Sequence, residues 1–238
     1  MTRTALSTKG QLAEPGALME LLRRFLSRTL TPESKAWLDA EVESQRGGVD
    51  ERRLAIALGL AARKTGRADL ALTPGDLAAA EELRAHWQPQ SWGTDEAARI
   101  LLLLASYDGD DHAFAARVNR LCATAEITEH VAYLKGFAVF PAAADLLERA
   151  REGVRSSIGA VFEAIACRNP YPFDYFDEAA WNQMVVKCVF SGIPIESIVG
   201  LRERRNAELI RMLRDFVAER RAAGRPLPDA VHAFIGEG

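Results

Sequence analysis

Paired metal ligands are missing from this chain. His86, His112, His130 and His232 have no histidine partner three or four residues away, and no C-x-x-C occurs, so the usual zinc spacings are excluded. Asp108-Gly109-Asp110-Asp111 begins like a calcium loop. Its twelfth position is Asn119 instead of a bidentate Glu, and its glycine is misplaced, so it reads as a solvated acidic turn that starts a helix. Neither a G-x-S-x-G elbow, a phosphate-binding P-loop nor a G-x-G-x-x-G is present, which removes the common hydrolase, kinase and dinucleotide signatures. No metal and no cofactor is expected.

Cysteine is scarce. Cys122, Cys167 and Cys188 are odd in number and sit within apolar helical patterns, which reads as reduced, buried thiols of a reducing compartment. Long apolar runs are lacking too. The run Ile100 to Ala105 falls far short of the ~20 residues of a membrane-spanning helix. The N-terminal MTRTALSTKGQLAEPG is polar and contains no apolar core of a secretory signal. Nor does one sign of charge dominate: 30 basic against 33 acidic residues leave −3, unlike a chain that binds nucleic acid throughout. The charge is uneven, however. Residues 199–225 hold eight Arg and four acids, +4, and leave −7 on the rest, so a local anion site on an acidic body is open.

Helical spacing and helix-start signals are abundant, whereas alternating runs with hairpin turns are nearly absent. Pro15 opens a helix with Leu18, Leu21, Leu22, Phe25 and Leu26 on one face. Thr31-Pro32, Asp50, Thr73-Pro74, Thr94-Asp95-Glu96, the YDGDD turn and Thr128 start further helices, the first of them stopping at Gly47-Gly48. Pro141 to Ala150, Val154 to Cys167, Asp177 to Phe190 and Leu201 to Ala223 complete ten or eleven helices, with Gly224 and Pro226 closing the last. Short connections imply antiparallel neighbours. The expected fold is all-α: irregular stacked helical hairpins in a HEAT-like α-solenoid, or a compact multi-helix bundle. A flexible segment 1–14 precedes one helical domain, 15–238, with a possible internal break at 88–93.

The segment from Arg168 to Asn206, RNPYPFDYFDEAAWNQMVVKCVFSGIPIESIVGLRERRN, concentrates the unusual residues. Pro170 and Pro172 force the preceding residues toward extended backbone. Phe173, Tyr175 and Phe176 follow, and the Tyr171 and Tyr175 hydroxyls need partners if buried. This corner reads either as a wedge in the core or as the aromatic wall of a ligand pocket. The Asp177–Phe190 helix is apolar almost all round, and Asn182, Gln183 and Lys187 form its polar stripe. Lys187 is open to four readings: an ion pair with Asp174, Asp177 or an acid on another helix, a buried stem with its head in water, a cation for an anionic ligand, or an amine of lowered pKa. Gly200 suits a positive-φ backbone. Arg202, Arg204, Arg205 and Asn206 fall on the first turns of the final helix. Arg204–Glu208 and Arg211–Asp215 have i,i+4 spacing, while Arg205 and Asn206 lack such partners. The ligand-binding candidates are therefore Tyr171, Asp174, Tyr175, Asn182, Lys187, Arg205 and Asn206, expected to face one hollow.

NPYPFDYFDEAAWNQMVVK, then GL-x-E-R-x-N and DFVAERRAAGR, with YLKGFAVFP (Tyr133–Pro141) and VFEAIACRNPYP (Val161–Pro172) before them, resemble the EboA family of bacterial proteins. The resemblance spans roughly Tyr133 to Arg225. It implies an all-helical cytoplasmic protein of secondary metabolism, encoded in a cluster that moves an aromatic or prenylated precursor toward the periplasm. Its partners would be other ebo-cluster proteins and a small aromatic or prenylated metabolite. It carries over no catalytic residues. Arg221 stands where the family pattern has an aromatic Trp.

Three functions follow as expectations. The first is a non-catalytic helical adaptor or carrier in metabolite traffic. The second is an enzyme acting on an aromatic or isoprenoid molecule, with Lys187, Tyr171, Tyr175 or Asp174 as acid/base groups and Arg205 as anion clamp. The third is peripheral membrane binding through Arg202, Arg205, Arg211 and Arg214.

Overall fold

A computed structural model describes residues 12–45, 48–225 and 228–236. Most of the expected flexible segment 1–14, and the expected stops at Gly47 and Pro226, lie outside the described residues. Thirteen helices and no strand occur among the described residues, with two isolated bridges, Leu12 to Arg84 and Asp69 to Gly93.

The helix starts follow local chemistry. In α1 (Pro15–Ser27) and α2 (Pro32–Gln45), proline fills a first-turn position whose N–H would lack a partner. Asp50 caps α3 (Glu51–Thr65) by accepting from Arg53 N at 3.0 Å. Thr73 and Asp76 form a reciprocal capping box on α4 (Pro74–Leu83). The start of α5 (Thr94–Ala105) sits one residue earlier than expected: Gly93 is the cap, and Glu96 accepts its N–H at 2.8 Å. Asp110 caps α6 (Asp111–Thr124), so the YDGDD turn is a helix start. Helix α7 (Ile127–Gly136) follows.

All of α5 except Glu96 is buried, and the reason is its position. It packs against α1, α2, α3 and α7. A helix enclosed on every side must be apolar on every side, and burying each of Leu101 to Leu104 contributes about 1.5–3 kcal/mol. Its one buried cation, Arg99, is satisfied by Asp95 at 2.6 Å and by the Leu58 carbonyl of α3 at 3.1 Å. From α5 the stacking proceeds in steps of two along the chain: α5 on α7, α7 on α9 (Gly159–Ala166), and α9 on α11 (Glu178–Phe190). Helix α2 lies against α3, α6 against α7, and α8 (Leu147–Arg155) against α9. This is an all-α row of stacked hairpins. Buried apolar residues from Leu18 to Ile235 join into one cluster that includes Trp87, just before the 88–93 segment, and Trp92 within it.

Three expected elements are corrected. Pro141 does not begin an α-helix: Ala142 adopts φ 56°, a 3-10 turn covers Ala143–Leu146, and α8 begins at Leu147. The continuous helix from Val154 to Cys167 is interrupted, since Ser156 and Ile158 are extended and α9 starts at Gly159. The final long helix starts six residues later than expected, as α12 (Ala207–Ala222), because Gly200 sits at φ 74° and Asn206 accepts from Leu209 N at 2.8 Å as its cap. A last helix, α13 (Asp229–Ile235), packs on α12.

Candidate functional site

The corner at 168–176 is built from the inside. Arg168 leaves α9 at φ 52° and its N–H donates to Ser197 O at 2.7 Å. Asn169 is buried and replaces missing helix hydrogen bonds. Its Nδ2 donates to Leu134 O and Ala164 O, each at 3.0 Å, and its Oδ1 accepts from Tyr171 N at 3.0 Å. The short helix α10 (Tyr171–Tyr175) then forms. Tyr171 is fully buried, its hydroxyl donates to Ala143 O at 2.5 Å, and its ring stacks on Tyr175 with centroids 4.7 Å apart. Burial pushes both phenols up from their ordinary pKa. Phe173 seats its ring on Gly200: a Cβ there would lie 1.9 Å from Phe173 Cδ2, so bare backbone is required on contact as well as on φ.

Asp174 is buried in an ion pair with Arg84 from the other half of the chain. The same guanidinium donates to Ala138 O at 2.9 Å and Ala85 O at 3.3 Å. Asn182 and Asn206 exchange amide hydrogen bonds, Nδ2 to Oδ1 at 3.1 Å and 2.9 Å. Asn206 therefore links α11 to the start of α12. Arg204 lies over the Trp181 ring at 4.6 Å and donates to the carbonyls of Pro172 and Phe173 at 2.9 and 3.1 Å. It does not pair with Glu208, because the two do not share a helix. Glu208 meets Arg211 at 2.6 Å instead, and Arg211 also meets Asp215 at 2.8 Å.

Lys187 forms no ion pair with Asp174 or Asp177. Its Nζ donates to Val154 O and Ser156 O, both at 2.7 Å, and stands 4.4 Å from the centre of the Phe162 ring. The ammonium thus satisfies carbonyls at the C-terminus of α8, where the helix dipole favours a cation. Partial burial lowers its pKa from the ordinary lysine value. Asp177 caps α11 through Ala180 N at 2.8 Å and pairs with Arg151 at 2.6 Å.

Two grooves flank these groups. One, of about 540 Å³, lies between α8 and α11 and is lined by Lys187, Arg151, Arg155, Glu148, Asp177 and Met184 among others. The other, of about 810 Å³, lies between segment 195–205 and α13. Ile195, Ile198, Leu201 and Phe234 supply apolar surface there, and Glu196, Arg202, Glu203 and Arg205 supply charge. Arg205 donates to Phe234 O at 3.3 Å, with its guanidinium 5.8 Å from the Phe234 ring centre.

The single hollow expected for the candidates is thereby corrected. Lys187 and Arg205 open onto different grooves that share no lining residue, and Tyr171, Asp174, Tyr175, Asn182 and Asn206 line neither. Lysine, tyrosine and aspartate do not converge as acid and base, since Lys187, Tyr171 and Asp174 each engage different partners. The basic surface expected for lipid is also interrupted: Arg211 is paired, and Arg205 and Arg214 donate to the α13 carbonyls of Phe234 and Ile235. Sequence reading missed Arg84, Ile198 and Phe234. Arg84 ends a helix 90 residues from its partner, and α13 carries only the weak signal of Pro228-Asp229.

The described residues contain no group of three or more His, Cys, Asp or Glu able to hold a metal ion, and no helix long and apolar enough to cross a membrane. The architecture defines the class: an all-α protein of stacked hairpins with a mixed apolar and charged groove at its C-terminal end. A family model described as "Metabolite traffic protein EboA" matches residues 18–236, and the chain belongs to the EboA family. The match reaches well beyond the quoted motifs, into α1 to α6. No curated protein and no solved structure matches the chain.

Proposed function

We propose that this chain is a non-catalytic carrier or adaptor in metabolite traffic. In this reading it holds a small molecule with an apolar body in the groove between segment 195–205 and α13. The observation that carries the reading is the groove itself. Its volume of about 810 Å³ is within the range of small-molecule sites, and a largely apolar lining with a few polar groups suits them. Among the described residues, Arg202, Glu196 and Glu203 form no salt bridge, so polar groups at this groove remain available to a guest. The non-catalytic part is supported by the polar atoms of Tyr171, Asp174, Asn182, Lys187 and Asn206, all engaged within the protein. The guest class is a small aromatic or prenylated metabolite. The partners are other proteins of the ebo cluster, met on the extended surface that a helical row presents.

The test uses 8-anilinonaphthalene-1-sulfonate, an apolar-bodied anion, as probe. Ala233 is exposed and lines the groove, so Ala233→Trp fills it without entering the core. Dye affinity is expected to fall roughly ten-fold, about 1.4 kcal/mol, with an unchanged helical melting curve. Equal affinity for both proteins removes the groove from the reading. Native mass spectrometry with the neighbouring gene products tests the adaptor role, and a chain that stays alone with each of them ends it.

A further inference from the structure

One aromatic side chain stands outside the core. Phe190, the last residue of α11, is 69% exposed, although most of that helix is buried or half-buried. Its ring centre lies 6.0 Å from that of Phe216 on α12, and the Arg220 guanidinium stands 5.9 Å from the Phe216 ring centre. Helical spacing extends the strip by a turn on each helix, since Val186 precedes Phe190 by four residues and Met212 precedes Phe216 by four. Both are half-buried. Helices α11 and α12 pack together, so the strip is two neighbouring apolar columns with a cation beside them. Arg220 differs from the earlier arginines of its helix. Arg211 meets Glu208 and Asp215, and Arg214 donates to Ile235 O. The Arg220 Nε is buried without a hydrogen-bond partner, and among the described residues its guanidinium forms no salt bridge.

We propose that this strip docks an acidic segment of a partner protein, with an apolar side chain of the segment set against Phe190 and Phe216 and a carboxylate on Arg220. The inference rests on the adaptor half of the proposed function, to which it gives a place and a partner chemistry; the metabolite groove plays no part in it. Aromatic and arginine side chains are the types that interfaces concentrate. Here an exposed phenylalanine, a second ring and an unpaired arginine share one surface. A carboxylate would complete the Arg220 guanidinium with charge-assisted hydrogen bonds. Local charge selects the same partner: residues 216–225 hold Arg220, Arg221 and Arg225 against Glu219, a net +2. A second copy of this chain fits poorly, because a two-fold contact through one face sets that positive end against itself. An anionic bilayer fits less well than a narrow segment. Glu219 is exposed three residues beyond Phe216, where a broad negative surface would press on it and a peptide passes beside it.

The test needs no known partner. A random dodecapeptide library displayed on phage is selected on the full chain, with depletion in each round on Phe190→Ser. Selected peptides are expected to carry Asp or Glu beside a leucine or an aromatic residue. Synthesised with a fluorescent label, they should bind roughly ten-fold more weakly to Phe190→Ser and to Arg220→Gln, and more weakly as salt rises. Both substitutions fall on the surface strip, and unchanged helical melting curves verify the fold; if one variant unfolds, the other decides. Failure to select any peptide, selection of basic or uncharged ones, or equal affinity for parent and variants overturns the proposal. So does sedimentation of the chain with phosphatidylglycerol vesicles that is lost in Phe190→Ser, which would give the strip to lipid. A complex with a neighbouring gene product that survives both substitutions removes this face and leaves the adaptor reading standing. Selected peptides of the expected kind without any such complex support the face and count against the adaptor reading alone.

Discussion

The two grooves differ less in the residues they contain than in what those residues are already bound to. Beside α8, Arg151 meets Asp177 at 2.6 Å, Arg155 meets Glu148 at 2.9 Å, and Lys187 holds two carbonyls. Beside α13, Arg205 makes one longer bond to a carbonyl, and Arg202, Glu196 and Glu203 form no salt bridge among the described residues. A lysine embedded in an apolar helix draws attention in a sequence, yet here it completes the end of another helix. The less conspicuous arginines of an irregular segment are the ones left with capacity. Charged residues indicate a binding place only after the hydrogen bonds owed to the fold have been subtracted.

That contrast can be broken by substitution, beginning where commitment is deepest. Asp174→Ala leaves the Arg84 guanidinium buried without its carboxylate and is expected to lower stability by about 3–5 kcal/mol in urea unfolding. Replacing both partners, Arg84→Met with Asp174→Leu, should recover most of the loss. If the single change is neutral, burial of this pair does not govern the corner. Gly200→Ala is next: it forces a side chain onto Phe173 at positive φ, with an expected loss of about 3 kcal/mol. Lys187→Met should cost about 1.5–3 kcal/mol, because the Val154 and Ser156 carbonyls lose a charged donor. A Lys187→Met protein as stable as the parent would place this ammonium among the uncommitted groups and dissolve the contrast.

A smaller effect concerns pH. His130 Nε2 is buried without a partner, and burial lowers the imidazole pKa from its ordinary 6.5. Below pH 6.5 the unfolded chain takes up a proton that the folded chain resists, so stability falls as pH drops through that value toward the folded pKa. His130→Gln should flatten the dependence of urea midpoints between about pH 7.5 and 5.5; an unchanged slope assigns it to other groups. The smallest change is expected for Arg202→Gln: within about 0.5 kcal/mol in stability, but with weaker binding of the anionic dye. Loss of stability without loss of dye binding would reverse the roles assigned to the two grooves.

Much of the fold was legible because helix starts are local. Pro15, Pro32, Asp50, Thr73, Asp110 and Asp177 mark boundaries within one turn of themselves, and the apolar run in α5 announces a helix enclosed on all sides. The errors arose where one residue type serves two purposes. Asn206 was read as a residue inside a helix and free for a ligand, whereas it caps α12 and holds Asn182. That one difference moved Arg204 and Arg205 off the helix. Ser156 carries no strong break signal within an otherwise helical pattern, so the break between α8 and α9 falls at 156–158 and not at the expected 151–153. The candidate site was the least legible part, since the partners of Asp174 and Lys187 come from helices distant in sequence and no spacing rule reports them.

The tie between Arg84 and Asp174 also sets an order of events at the ribosome. When Arg84 emerges, the chain lacks Asp174, the carboxylate that pairs with it among the described residues, and ninety residues separate the two. Until residue 174 has cleared the exit tunnel, the nascent N-terminal helices must keep that guanidinium hydrated, with the surface beneath the future corner open. Completion of this half is therefore deferred to a late moment of translation, and a message cut short before α10 yields a product with an ionic socket that nothing fills.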